Sequence, residues 1–197
     1  MTTRDDILAR VRRNQPAPIA LPAIPPFPTA PTASLERFKA AVLRMGGKLG
    51  DASHDVDLTA LVRRLFPDAK SIASATPEVA GNRDLAAVAS PAELADVDVG
   101  VVRAVFGVAE TGSLWLTSAQ FKVDSLGFLV QHLVVLIDPS RIVGNLHDAY
   151  GLREHFNTRY GVFMTGPSAT ADIEGVLIHG AQGIRSMTVV PVAERAA

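Results

Sequence analysis

Five consecutive aliphatic residues, Leu133-Val-Val-Leu-Ile137, set the strongest constraint on the fold of this chain. The run is far too short to span a bilayer, and it has none of the polar alternation of a strand with one wet face. It suits a strand covered on both sides, and Val99–Ala104 and Met187–Val192 repeat the pattern. Further candidate strands are Ser71–Ser74, Ser113–Thr117 and Gly161–Thr165. Helical segments lie between the runs. Ser34 is placed to cap a helix through Met45 that stops at Gly46-Gly47, and a second helix runs from Leu58 to Phe66, ending at Pro67. This alternation predicts an α/β domain with a mostly parallel sheet.

The domain is expected over residues 34–197. Ahead of it, residues 1–33 read as an arm. Residues 3–14 form an amphipathic helix with Ile7, Leu8 and Val11 on one side. Seven of the thirteen prolines then fall between Gln15 and Thr32, so that stretch favours extended polyproline geometry. An arm on a semi-rigid tether suits docking on a partner or on a neighbouring copy in a homo-oligomer. Met1-Thr-Thr-Arg-Asp-Asp6 carries acids early and no apolar stretch follows, which is unlike a secretory signal; the expectation is a cytoplasmic protein with no membrane span. A net charge of −1 with no basic stripe gives no pull toward nucleic acid. The chain has no cysteine, which excludes disulfides, thiolate metal sites and iron–sulfur ligation by its own residues.

Two glycine-bearing loops carry the candidate chemistry. In Gly166-Pro-Ser-Ala-Thr-Ala-Asp-Ile-Glu-Gly175, the hydroxyls of Ser168 and Thr170 precede the carboxylates of Asp172 and Glu174. The loop lies between segments that read as buried, the second being Val176-Leu177-Ile178. The other loop is Gly107-Val-Ala-Glu-Thr-Gly-Ser113. Each follows a candidate strand, and open α/β sheets take ligands beyond the carboxyl ends of their strands. Small residues, hydroxyls and acids so arranged suit an anionic or polar ligand, or a self-satisfied turn.

Several of these residues also carry a resemblance. Glu110-Thr-Gly112, His132 in the next apolar strand, Gly166-Pro-Ser168 with Thr170-Ala-Asp-Ile-Glu-Gly175, and Gly180-x-x-Gly183 resemble the LUD-domain family. The opening Arg4-Asp-Asp-Ile-Leu-Ala-Arg-Val-Arg12 and the proline tether are similar to its lactate-utilization protein C branch. The chain departs from the family at Leu129-Val-Gln131 and at Gln182-Gly183-Ile184, where the family usually has a proline-rich approach and His-Gly-Pro. The resemblance implies a Rossmann-like three-layer fold similar to the NagB/RpiA/CoA-transferase superfamily. It also implies a role in oxidising L-lactate to pyruvate beside iron–sulfur subunits, the clusters lying in those partners and no cofactor in this chain.

Two functional readings follow. In the first, the chain is a non-redox accessory subunit that docks on the iron–sulfur partners. In the second, Glu110 acts as nucleophile or general base, by analogy with the Glu-x-Gly turn of CoA-transferases, and Thr111, Gly112, Ser113, Gly166, Ser168, Thr170, Asp172 and Glu174 bind a small carboxylate, phosphate or CoA-like molecule. The bland alternatives are that Glu110 caps its turn, that Thr111 and Ser113 close it, and that Glu174 pairs with Arg185 or Arg141. A metal is not expected: Asp172, Glu174 and His179 fit no established ligand spacing. His132 reads as a satisfied structural imidazole, and Phe106 and Trp115 as core.

Overall fold

The structure, a computed structural model, describes residues 3–23, 33–52, 57–171, 174–180 and 182–194. The described helices are α1 (Thr3–Arg13), α2 (Leu35–Arg44), α3 (Leu58–Leu65), α4 (Ser118–Phe121), α5 (Leu126–Leu129) and α6 (Leu146–Gly151). The strands are β1 (Lys48–Leu49), β2 (Ile72–Ser74), β3 (Val99–Arg103), β4 (Phe106–Val108), β5 (Ser113–Thr117), β6 (His132–Ile137), β7 (Ile142–Val143), β8 (Gly161–Met164), β9 (Ala169–Thr170), β10 (Ile178–His179) and β11 (Ser186–Pro191).

Local chemistry starts and stops the two longer helices of the domain. The Ser34 hydroxyl accepts from the Arg37 N–H at 3.2 Å, and Phe38, Ala41 and Val42 form the buried stripe of α2. The Asp57 carboxylate accepts from Thr59 at 2.8 Å and Ala60 at 3.3 Å, and α3 buries Leu58, Leu61 and Val62. The arm helix α1 buries no residue: Ile7 and Val11 are more than half exposed. Residues 15–23 of the tether are exposed coil, and the prolines from Pro25 to Pro31 lie outside the described residues.

Five strands make a fully parallel sheet in the order β1-β11-β6-β3-β2. The steps β2→β3→β6→β11 all move the same way across it, so right-handed crossovers put their connections on one face. The step β1→β2 moves the opposite way and sends α3 to the other face. Packing follows this rule. Val134 and Leu136 of β6 and Val99 and Val101 of β3 meet α3. Leu133, Val135 and Ile137 face α2 and a second, four-stranded sheet ordered β7-β4-β5-β8. All five residues from Leu133 to Ile137 are fully buried, each contributing about 1.5–3 kcal/mol of transfer energy. The far side of the second sheet carries an aromatic cluster, in which Trp115 lies 4.6 Å from Phe156 and 4.7 Å from Phe163 between ring centroids.

The expected α/β class with a mostly parallel central sheet is therefore present, and Phe106 and Trp115 are buried core residues. Two expectations need correction. The runs Ser113–Thr117 and Gly161–Met164 pair antiparallel in the second sheet. Their loops consequently lie at the amino edge of the parallel sheet and not beyond its carboxyl ends: Gly112 approaches Ala41 and Val42, and Gly166 approaches Met45, at the end of α2 that leads into β1. The segment Val176-Leu177-Ile178 is also not buried. Its residues are 60%, 58% and 38% exposed, on the antiparallel β9–β10 hairpin. Among the described residues, no helix is long and apolar enough to cross a membrane.

Candidate functional site

The β4–β5 turn is held from three sides. Gly112 adopts φ 71° and donates its N–H to the Val108 carbonyl at 2.9 Å. A Cβ at this position would lie 2.6 Å from the Val42 nitrogen and 2.8 Å from the Ala41 carbonyl carbon. Only a residue without a side chain lets the turn rest on the α2 backbone. The Glu110 N–H donates to the Gly144 carbonyl at 3.1 Å, and Arg44 donates to the Glu110 carbonyl at 3.1 Å. The exposed Glu110 carboxylate accepts from the Leu146 N–H at 3.3 Å, so it braces the start of α6 and not its own turn.

A chain of hydroxyls joins this turn to the next. Thr111 Oγ1 lies 2.7 Å from Ser113 Oγ, which lies 2.6 Å from Thr165 Oγ1, and the Ser113 N–H donates to Thr111 Oγ1 at 3.3 Å. Thr165 leads directly into Gly166. The two loops singled out in the sequence thus meet through the buried Ser113 and the half-buried Thr165.

Beyond that contact the second loop diverges. Gly166 and Ser168 line a groove of about 520 Å³ together with Phe128, Leu129, Gly183 and Ile184. The Ser168 carbonyl accepts from the Gly180 N–H at 2.7 Å, and its own N–H donates to Ile184 at 3.3 Å. Thr170 pairs with Ile178 in the hairpin, and Glu174 sits exposed at the hairpin turn with φ 54°. Asp172 lies outside the described residues. The structure therefore brings together Thr111, Ser113 and Thr165, places Gly166 and Ser168 in an adjoining groove, and leaves Glu110 and Glu174 on the surface. The suggested Glu174–Arg141 pair is replaced by another: Arg141 lies 3.5 Å from Glu194. Among the described residues, no cluster of three or more His, Asp or Glu side chains is arranged to hold a metal ion.

The groove has an apolar rim. Phe128 and Leu129 end α5, Leu43 and Met45 end α2, and Val176-Leu177-Ile178 lie on the hairpin; all are exposed large hydrophobics. The end of α2 meets the hairpin where Gly46, next to Met45, packs against the His179 ring and against Pro167, which lines the groove.

Sequence reasoning passed over a second cleft, at the carboxyl edge of the parallel sheet. It encloses about 370 Å³ between Thr76, Glu78, Arg103, Gln120, Arg141 and Glu194. Its floor is an ion pair: Arg103 donates to both Glu78 oxygens through Nε, at 2.6 Å, and Nη2, and to the Val192 carbonyl through Nη1 at 3.2 Å. Both side chains are nearly buried, 12% and 14% exposed, and the Thr76 hydroxyl adds a bond to Glu78 at 2.8 Å. Nearby, Asp138 accepts from the Glu194 and Ser140 N–H groups and the Ser140 hydroxyl. These bonds, with the charge of Arg103, hold its pKa down to about 2. The only signal in the sequence was a charged residue, Arg103, ending an otherwise apolar strand.

Known proteins share this architecture. The crystal structure of a DUF162 family protein from Deinococcus radiodurans superposes with a TM-score of 0.60 at 20% identity, over 81% of this chain and 96% of that one. An uncharacterized protein of Neisseria meningitidis serogroup B is 30% identical over 100 residues, which is 49% of this chain and 43% of that protein. The match thus spans less than half of that relative's length. The model of the LUD domain matches residues 81–192, more than half of the 197 residues and a span that includes every strand from β3 to β11. The chain belongs to the LUD domain family.

Proposed function

We propose that this chain is a non-redox subunit of an L-lactate oxidising system, of the lactate-utilization protein C branch, and that it acts by docking on iron–sulfur partner proteins. The observation that carries this reading is the apolar rim at the amino edge. Phe128 and Leu129 line the groove while staying partly exposed, further large hydrophobics stay exposed at the end of α2 and on the hairpin that meets it, and exposed apolar surface of this kind marks interaction sites. Family membership gives the metabolic setting. A chain without cysteine fits that reading, in which thiolates for any cluster would come from the partners. The arm supports the same reading, since the apolar stripe of α1 is uncovered and its tether gives it reach.

The test is reconstitution with iron–sulfur proteins of an L-lactate oxidising system, read by co-elution on size exclusion and by lactate-dependent reduction of an artificial acceptor. Phe128→Glu with Leu177→Glu is expected to abolish co-elution, and deletion of residues 1–33 to weaken it. Unchanged co-elution and turnover in the rim variant refutes the docking role. A second reading rests on one observation: the Glu110 carboxylate is exposed while its backbone is fixed on both sides. That geometry suits a nucleophile or base acting on a small carboxylate, phosphate or CoA-like molecule. Glu110→Gln separates the two, because docking predicts full turnover and covalent chemistry predicts its loss.

A further inference from the structure

A third concavity, of about 330 Å³, opens on the α3 side of the amino edge. It is lined by Phe66, Asp68, Asp98, Gln131, His132 and Arg185. Strand register assembles it. His132 begins the central strand β6, in register with Ser186 on one side and Val99 on the other, so Arg185 and Asp98 arrive at its flanks.

The imidazole is fixed by two contacts. Its Nδ1 lies 2.8 Å from the Ser186 hydroxyl, and its ring stacks on Phe66 with centroids 5.0 Å apart. When the Ser186 hydroxyl donates to Nδ1, Nε2 carries the ring proton and is the remaining donor. One oxygen of the Asp98 carboxylate, Oδ2, is already committed, accepting from the Lys70 and Ser71 N–H groups at 2.7 and 2.9 Å. Asp68 is exposed at the outer edge. In contrast, among the described residues no hydrogen bond or ion pair engages the Arg185 guanidinium or the Gln131 carboxamide. Lys48 on β1 adds a second positive charge close enough to act on His132. The groove therefore presents uncommitted donors and cations around a neutral ring, while one oxygen of the nearest acid is taken up by backbone N–H groups.

We propose that this groove binds a small oxyanion, the chemistry shared by carboxylates and phosphate, held by the Arg185 guanidinium, the Gln131 carboxamide and Nε2 of His132. The volume, at the low end for small-molecule pockets, suits a compact anion. Arginine supplies the planar fork that such anions match, and a rigid imidazole costs little entropy to engage. Burial, with Lys48 and Arg185, holds the His132 pKa below its ordinary value, against the opposing pull of Asp98. A bound anion offsets the two cations and raises it, so binding tightens as the ring protonates.

This site is separate from the docking rim, and its test does not depend on partners. The imidazole C–H resonances of the full chain are followed by NMR during titration with inorganic phosphate in one arm and acetate in the other, with His132 assigned through His132→Gln. The expected result is a saturable shift of the His132 resonance and an upward move of its pKa in at least one arm. Arg185→Met should weaken the response at least tenfold, while Arg153→Met, an exposed cation elsewhere, should leave it unchanged. A His132 resonance unmoved by tens of millimolar of either anion overturns the proposal. Equal responses in the Arg185→Met and wild-type proteins do the same.

Discussion

Replacing Gly112 by alanine tests whether the Glu110-Thr-Gly turn is positioned by close backbone packing. Two costs combine. A φ of 71° places an L-residue in the left-handed region, at about 1–2 kcal/mol. The new methyl also meets the Val42 nitrogen at 2.6 Å and the Ala41 carbonyl carbon at 2.8 Å. Those atoms belong to the α2 backbone and cannot rotate away, so an overpacking cost of about 1–3 kcal/mol applies. The lower entropy of an unfolded chain carrying alanine returns about 0.4–1 kcal/mol. The net loss is about 2–4 kcal/mol, or about 4–16 °C in melting temperature for a chain of this size. Gly175 provides the control, having a nearly equal φ, 72°, with no atom of the described residues within 4 Å of where the methyl would sit. Gly175→Ala should cost about 1 kcal/mol or less, from backbone strain alone. Urea denaturation followed by circular dichroism measures both. If Gly112→Ala loses no more stability than Gly175→Ala, the turn does not rest on α2 and the argument fails.

Further outcomes follow from the carboxyl-edge cleft. Arg103→Leu leaves the nearly buried Glu78 carboxylate without its bidentate partner and should cost about 3–5 kcal/mol, whereas Arg103→Leu combined with Glu78→Leu should recover most of it; a denaturation cycle on the four proteins checks this. Asp138 has a folded pKa of about 2 against an ordinary value of 3.8, so its stabilisation is complete above about pH 4 and is lost as pH falls toward 2. Asp138→Asn should therefore reduce the acid sensitivity of stability in that window, and parallel stability–pH curves for the two proteins would contradict this.

The strands of the parallel sheet were legible because apolar runs covered on both faces leave a plain mark in the sequence. Four of the six expected runs lie in that sheet. Of the other two, Ser113–Thr117 is fully buried and Gly161–Thr165 mostly half-buried, both in a second sheet between the core and the aromatic cluster. An apolar run thus did not distinguish parallel from antiparallel pairing, and the loops were assigned to the wrong edge. Val176-Leu177-Ile178 failed for a different reason: hydrophobic residues are not obliged to be inside, and an apolar run on a short hairpin has nothing to cover it. The motif residues were found by their composition, but their joining through Ser113 and Thr165 spans 52 residues. The pairs Arg103–Glu78 and His132–Ser186 span 25 and 54 residues. Contacts at such separations leave no local periodicity, so only the fold reveals them.

The position of β11 has a consequence for how the protein is made. Although β11 is the last of the described strands in chain order, it occupies an interior place between β1 and β6. On the ribosome, β2, β3 and β6 can associate as they emerge, but β1 has no neighbour until residues 186–191 leave the exit tunnel. While β7, β8 and the hairpin are being made, the strongly apolar central strand β6 keeps one open edge. Such an edge is a template for pairing with another nascent chain. Pausing late in translation, or premature termination before Ser186, should therefore yield aggregates rather than a smaller soluble domain.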